Sequence, residues 1–251
     1  MEAGGRIETI SREMGEAALF PLPGGIPEQA GRREGLRRYE SMDIKKIYEQ
    51  KSILYKGWKR GFDIAASALA LVVLSPVFLI TALAIKLEDG GPVFFSGKRY
   101  GKDLEYFQML KFRSMCVDAE ARLKEVLKEE DRNGMAFKIE DDPRITRVGK
   151  FIRRTSIDEL PQLINILKGE MSLVGPRPIS TTDRDEDPYE MQRWVVRPGL
   201  TCTWQVSGRA DVPWEEWVEM DLDYIAHMGV WEDLKLIFKT FGAVARGDGA
   251  R

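Results

Sequence analysis

One uncharged run, Ile64 to Ile85, constrains this chain more than any other feature. At about 1.5 Å of rise per residue, its 22 residues reach about 33 Å as a helix, enough for a hydrocarbon core of about 30 Å. Ser75-Pro76 interrupts it at the middle. Lys56, Lys59 and Arg60 precede it, and Lys86, Lys98, Arg99 and Lys102 follow it. The positive-inside tendency places both basic flanks on one side of a bilayer. A straight crossing cannot satisfy that, whereas a helix that enters, bends at the proline and returns to the same face can. The run starts well beyond the first 15–30 residues or so where a secretory signal lies, so it is expected to stay in the mature protein.

At 251 residues the chain can form one or two domains with a real core. The net charge of −2 gives no basic field for nucleic acid. Cys116 and Cys202 lie far apart without a CxxC partner, which fits a reducing compartment. A single histidine, His227, nearly excludes zinc hydrolases and histidine-based triads.

The predicted organisation is mainly α with short extended or β segments. Residues 1–40 mix Gly, Pro, Glu and Arg without periodicity and read as a flexible arm. Residues 41–58 carry Ile44, Ile47, Tyr48, Leu54, Tyr55 and Trp58 at near-helical spacing with lysines between them. They predict a basic amphipathic helix at a headgroup surface. Residues 59–88 form the re-entrant membrane helix kinked at Ser75-Pro76, and residues 89–246 a compact cytoplasmic domain. Within it, Val93-Phe94-Phe95 and Tyr106–Phe112 read as extended. Asp118–Glu130 and Ile145–Arg154 read as helices, with Asp141-Asp142-Pro143 a break between them. Leu160, Leu163, Ile164 and Leu167 form an amphipathic helix that stops at Gly169. Pro161 is tolerated only in a first turn, which predicts a start near Ser156 or Asp158. Val174–Pro178 reads as a rigid loop, Asp183–Glu190 as an acidic connector, and two helices close the chain near Trp214–His227 and Trp231–Val244.

The predicted helix start places Asp158-Glu159 at the positive end of a helix dipole, where both carboxylates are expected to be ionised. An ionised pair can hold Mg²⁺ or attack phosphorus. Lys111, Arg113, Arg144, Arg147, Arg153, Arg154, Arg177 and Arg197 surround it in sequence, and guanidinium forks suit phosphate oxygens. Arg177 stands out because Pro176 and Pro178 pre-set its backbone. Cys116 and Cys202 read as core thiols and His227 as structural, while Trp214, Trp217 and Trp231 fit either a core or an interfacial belt.

Several motifs in order resemble the bacterial sugar transferase family, the monotopic phosphoglycosyl transferases. They are Lys59-Arg-Gly-Phe-Asp63, Ser75-Pro76, Gly91-Pro-Val-Phe-Phe95, Lys111-Phe-Arg-Ser-Met115, Asp142–Lys150, Ser156–Leu163, Gly169–Pro178, Arg197-Pro-Gly-Leu-Thr201, Trp204–Arg209 and Asp221 with Tyr224. The similarity covers roughly residues 55–245. It implies transfer of a sugar-1-phosphate from a nucleotide-sugar, UDP-hexose being usual, to polyprenyl (undecaprenyl) phosphate, with release of nucleoside monophosphate. That step begins exopolysaccharide or O-antigen assembly at the cytoplasmic face of a bacterial inner membrane. It further implies Asp158 as nucleophile and Mg²⁺ ligand, with Glu159 as its partner. Lys111, Arg113, Arg153, Arg177 and Arg197 are expected to bind substrate. A phosphosugar-aspartyl intermediate is expected between the two half-reactions. Cys202 stands where the family more often has Gly, and the multi-helix bundle of larger members is absent. A membrane-anchored phosphohydrolase and a non-catalytic scaffold are the competing functions. The sugar and any homo-oligomer are left open.

Overall fold

In the computed structural model, residues 37–119, 121–122, 142–179, 187–207 and 212–246 are described. Most of the expected arm at 1–40, most of the helix expected at Asp118–Glu130, Asp141 and the first half of the acidic connector lie outside them.

Asp43 caps helix α1 (Ile44–Gln50), its carboxylate accepting from Lys46 N at 2.9 Å. Lys51 and Ser52 are extended, and the Ser52 hydroxyl then caps helix α2 (Ile53–Val73). The continuous helix expected over 41–58 is therefore two helices. Ile44 is fully buried, and Ile47, Tyr48 and Tyr55 pack on the same core cluster as Leu222 and Ile225. The apolar face of α1 is thus covered by the protein itself, while Ile53 and Leu54 stay exposed.

Helix α3 (Ser75–Asp89) follows α2 at a bend of 60°. Pro76 has no N–H for the Val72 carbonyl, and its ring clashes with a continuing helix. Ser75 Oγ donates to Val72 O at 2.8 Å and restores that bond. No single helix among the described residues is long and apolar enough to cross a membrane, whereas this bent pair together is. Leu69, Val72, Val73, Leu79, Ile80, Leu83 and Leu87 turn outward along it.

The basic flanks of the apolar run hold it to the rest of the chain. Lys59 Nζ donates to Asp233 at 3.0 Å, and Arg60 donates to Ile166 O at 2.6 Å and Leu167 O at 2.9 Å. Asp63, buried in α2, accepts from Leu173 N at 3.0 Å.

Strands β1 (Phe94–Tyr100) and β2 (Tyr106–Phe112) form an antiparallel hairpin from Phe94 opposite Phe112 to Tyr100 opposite Tyr106. Helix α4 (Arg147–Arg154) is capped twice, by Thr146 Oγ1 and by the Glu88 carboxylate at the end of α3. A Cβ at Gly149 would lie 2.0 Å from Ser114 O, so only glycine lets α4 approach this closely. A 3₁₀ turn, Ile157–Glu159, leads into helix α5 (Gln162–Lys168), which ends at Gly169 with φ 89°.

Strands β3 (Ser172–Val174) and β4 (Gly199–Thr201) pair in parallel, so Val174, expected in the rigid loop, ends a strand. Between them lie α6 (Pro188–Met191) and a 3₁₀ turn, Gln192–Val195. Helices α7 (Thr203–Val206), α8 (Trp214–His227) and α9 (Val230–Arg246) follow. Trp217 is buried, whereas Trp231, Phe238 and Phe241 are exposed on α9, which divides the tryptophans between core and surface.

Candidate active site

Both arms of the bent pair bear on the helices flanking Asp158. Helix α3 contacts α4 before it, and α2 contacts α5 after it. Ile157 and Leu160 pack against Phe112, Ile85 and Ile152, along with Phe78 of α3. Apolar residues on either side of the acidic pair are therefore drawn into the core, which fixes the turn between them.

The backbone differs from the expected helix start. Ser156 sits at φ 56° and makes no side-chain cap, and Asp158 lies inside the 3₁₀ turn rather than at the N-terminus of an α-helix. The dipole argument for two ionised carboxylates therefore fails, and burial decides. Asp158 is 8% exposed. Burial pushes its carboxyl from 3.8 up to about 6; Lys111 opposes the shift and the neighbouring Glu159 charge adds to it. Burial acts on Glu159 in the same direction, but Arg177 and Lys111, by charge and hydrogen bonds, outweigh it and hold Glu159 well below the usual carboxylate range.

Glu159 Oε1 accepts from Lys111 Nζ on β2 and from Arg177 Nη2, each at 2.9 Å. Lys111 Nζ also stands 3.9 Å from Asp158 Oδ2. Arg177 is held by its flanking loop. Pro176 O accepts from Gly199 N at 2.8 Å, and Arg177 O accepts from Arg193 Nη2 at 3.1 Å. The strands meet at two glycines, since a Cβ on Gly199 would lie 2.1 Å from Gly175 N. The Arg177 guanidinium lies 5.8 Å from the centre of the Trp204 ring.

Lys111, Arg177, Asp158 and Glu159 thus come together. Arg153, exposed at the end of α4, acts on Asp158 through its charge. Arg113 is engaged elsewhere: it pairs with Asp89 and donates to Pro92 O at 2.5 Å and Met115 O at 3.2 Å. Arg197 donates to Gly169 O at 2.6 Å and lines a cavity of about 70 Å³ with Lys56, Lys59 and Arg60 at the foot of α2. Arg144 is buried on Asp142.

Cys116 is half-buried rather than a core thiol, while Cys202 is fully enclosed and its thiol is pushed up to about 12 by burial. Cys202 has φ −148°, extended backbone that any residue adopts, so no glycine is required there. His227 is exposed, its Nδ1 3.0 Å from Asp223 O and 3.4 Å from Asp223 Oδ1. The sequence reading missed Arg193; its partner Asp221 figures there only among the residues that carry the family resemblance, without a role.

A carboxylate pair held by Lys111 and Arg177 thus lies between helices that the two arms of the bent apolar pair contact. The chain belongs to the bacterial sugar transferase family, whose model matches residues 54–247. It is 43% identical over 195 residues to the galactosyl transferase CpsE of Streptococcus agalactiae, covering 77% of this chain and 43% of that protein. It is 42% identical over 197 residues to the undecaprenyl-phosphate galactose phosphotransferase of Salmonella typhimurium, covering 76% and 41%. It is 41% identical over 205 residues to the exopolysaccharide production protein ExoY of Sinorhizobium fredii, covering 76% and 87%. The chain therefore spans under half the length of the first two relatives and most of the third.

Proposed function

We propose that this chain transfers a sugar-1-phosphate from a nucleotide-sugar to polyprenyl phosphate at a membrane surface, with Asp158 as the covalent nucleophile. The observation that carries this is a buried Asp158 carboxyl beside a Glu159 pinned by Lys111 and Arg177. The names of relatives add the acceptor and substrate classes: galactose, glucose and N-acetylgalactosamine phosphotransferases acting on undecaprenyl phosphate.

In the first half-reaction an Asp158 oxygen attacks the sugar-side phosphorus of the donor. The bond from that phosphorus to the bridging oxygen breaks, and nucleoside monophosphate leaves with the electron pair. In the second, a phosphate oxygen of the polyprenyl phosphate attacks the same phosphorus and the Asp158 carboxylate leaves. Lys111 and Arg177 keep positive charge beside the pentacoordinate phosphorus, where negative charge is spread over its oxygens. Partial burial keeps water from competing for the intermediate.

Among the described residues no group of three or more acidic, histidine or cysteine side chains is arranged to hold a metal. The donor set still fits Mg²⁺, which takes one or two carboxylates and completes its shell with water and substrate phosphate oxygens. Asp158 and the second oxygen of Glu159 are the hard donors that would hold it. Bound there, the ion would neutralise donor diphosphate charge.

The bent pair, with its outward leucines, and the exposed Trp231, Phe238 and Phe241 of α9 support membrane attachment, and we place the site at the cytoplasmic face. Cysteine labelling ahead of Lys56 tests that face; labelling from the periplasmic side would exclude the re-entrant path. The activity is tested by incubation with donor alone. A sugar-phosphate mass on the Asp158 peptide, with nucleoside monophosphate released, is the expected result. Release without any adduct would leave the covalent step without support.

A further inference from the structure

We infer that Arg193, sealed in the core, is a positioning residue that sets where the Arg177 guanidinium stands against Glu159. This rests on the function proposed for the Asp158 site. Arg193 Nη2 donates both to Asp221 Oδ2 and to the Arg177 carbonyl, the latter at 3.1 Å. Both side chains of the ion pair are 1% exposed. The Arg193 guanidinium lies 5.2, 5.1 and 5.6 Å from the ring centres of Trp194, Trp214 and Trp217. Its Nε and Nη1 have no hydrogen-bond partner, so indole faces replace water around them.

Arg193 and Asp221 are closed to solvent. Their enclosure meets the Arg177 loop by a hydrogen bond at the Arg177 carbonyl, and its surroundings by ring stacking where Trp217 lies on Trp204. Pro176 and Pro178 restrict the loop backbone, Gly199 N holds Pro176 O, and Arg193 holds the next carbonyl. With the backbone fixed at both points, the Arg177 side chain has one short path to Glu159 Oε1. A deeply buried ion pair contributes little net stability relative to apolar residues of the same volume, so what it fixes in place is its main effect here. The chain of action runs Asp221, Arg193, Arg177 carbonyl, Arg177 guanidinium, Glu159.

The test uses the full chain in detergent or lipid discs and follows nucleoside monophosphate release from donor and polyprenyl phosphate. Arg193→Lys keeps a cation opposite Asp221 but shortens the reach and loses the fork. A misplacement near 1 Å can lower turnover by about 100-fold, so a loss in kcat of about 10- to 100-fold with little change in KM is expected. In the Arg177→Ala background the same change should cost less than about twofold, since the effect runs through a side chain already removed. Losses that multiply, or an unaltered kcat in Arg193→Lys, would overturn the inference. If Arg193→Lys does not fold, Asp221→Asn replaces it with the same expectations.

A second readout does not need activity. Phenylglyoxal modification of Arg177, followed by peptide mass, should be slow in the parent chain and several-fold faster in Arg193→Lys. Equal rates would also overturn the role of Arg193. A parent chain that releases no nucleotide from any donor would count against the proposed function alone, and the modification contrast would still decide this inference.

Discussion

Two arginine–carboxylate pairs in this molecule differ in burial and consequently in use. Arg193–Asp221 has side chains each 1% exposed, walled by indoles. Arg177–Glu159 has side chains 26% and 16% exposed, and Glu159 is shared with Lys111. The sealed pair cannot exchange partners, because no water or ligand can replace either member. The open pair can, because a substrate phosphate brings its own oxygens to Arg177 and Lys111. Burial raises the Asp221 carboxyl to about 6 despite its arginine, whereas two cations keep Glu159 well below the ordinary carboxylate range. The same chemistry serves as a fixed strut in one place and as a site able to take a ligand in the other.

Asp158 lies between these extremes and gives the largest expected effect. Burial pushes it to about 6, as it does Asp221, yet its cation Lys111 stands off at 3.9 Å. Asp158→Asn should lower turnover on the order of 10⁴-fold, as loss of a nucleophile does. Stability should move the other way. The folded chain holds the Asp158 proton more tightly than the unfolded chain, whose value is 3.8, so the stabilisation is complete below that pH and lost as pH rises through about 6. The melting temperature of Asp158→Asn relative to the parent should therefore climb between pH 4 and pH 7. Adduct formation in the parent should rise over the same upper limb, since only the ionised carboxylate attacks. A pH-flat difference in melting would place Asp158 in water and remove its contrast with Glu159.

Breaking the sealed pair should lower stability as well as turnover. Arg193→Met leaves Asp221 buried without its cation, at a cost of about 3–5 kcal/mol in urea unfolding, and Arg193→Met/Asp221→Leu should recover most of it. Breaking the open pair with Glu159→Gln should also lower turnover by about 10- to 100-fold, but stability should change by only about 1 kcal/mol. Similar stability losses in both variants would show that the two pairs do not differ in the way their exposure indicates.

The sequence showed the open half of this comparison and concealed the sealed half. Asp158-Glu159, Arg177 between two prolines and Lys111 in a strand are local patterns, and the bend at Ser75-Pro76 follows from one missing N–H. Arg193 and Asp221 are 28 residues apart, and neither carries a local signal of burial. The same limit applies to Arg113. Its sequence neighbours suggested phosphate binding, but its partner Asp89 lies 24 residues earlier, at the end of α3. Asp158 misled for a different reason. The helix expected at Ser156 begins only at Gln162, because Ser156 takes a left-handed turn and Ile157 and Leu160 are drawn inward. Solvent access, which no spacing rule reports, then reversed the expected shift. The lysines and Arg60 flanking the apolar run point to one side of a bilayer by their charge, and Lys59 and Arg60 also anchor α2 to Asp233 and to the end of α5.

The smallest expected effect lies at the aromatic bridge between the two pairs. Trp204 stacks on Trp217 with centroids 4.2 Å apart and planes at 5°. Trp217 faces Arg193 in the sealed enclosure, and Trp204 faces Arg177 in the open one. A cation over an indole contributes about 0.5–1 kcal/mol where water reaches it and about 2 kcal/mol or more where it does not. Trp204→Phe keeps an aromatic face but weakens the quadrupole, so kcat/KM should fall by about two- to fivefold with melting nearly unchanged. Trp214→Phe, on the sealed cation, also loses the Nε1 bond to Glu190 at 2.8 Å, so it should lower melting more, and activity only as far as the Arg177 carbonyl shifts. Measured together, the two substitutions separate what an indole contributes to a sealed cation from what it contributes to one poised to receive phosphate. An activity loss in Trp214→Phe larger than in Trp204→Phe, at equal melting, would mean the enclosure steers the catalytic loop more strongly than the open ring does.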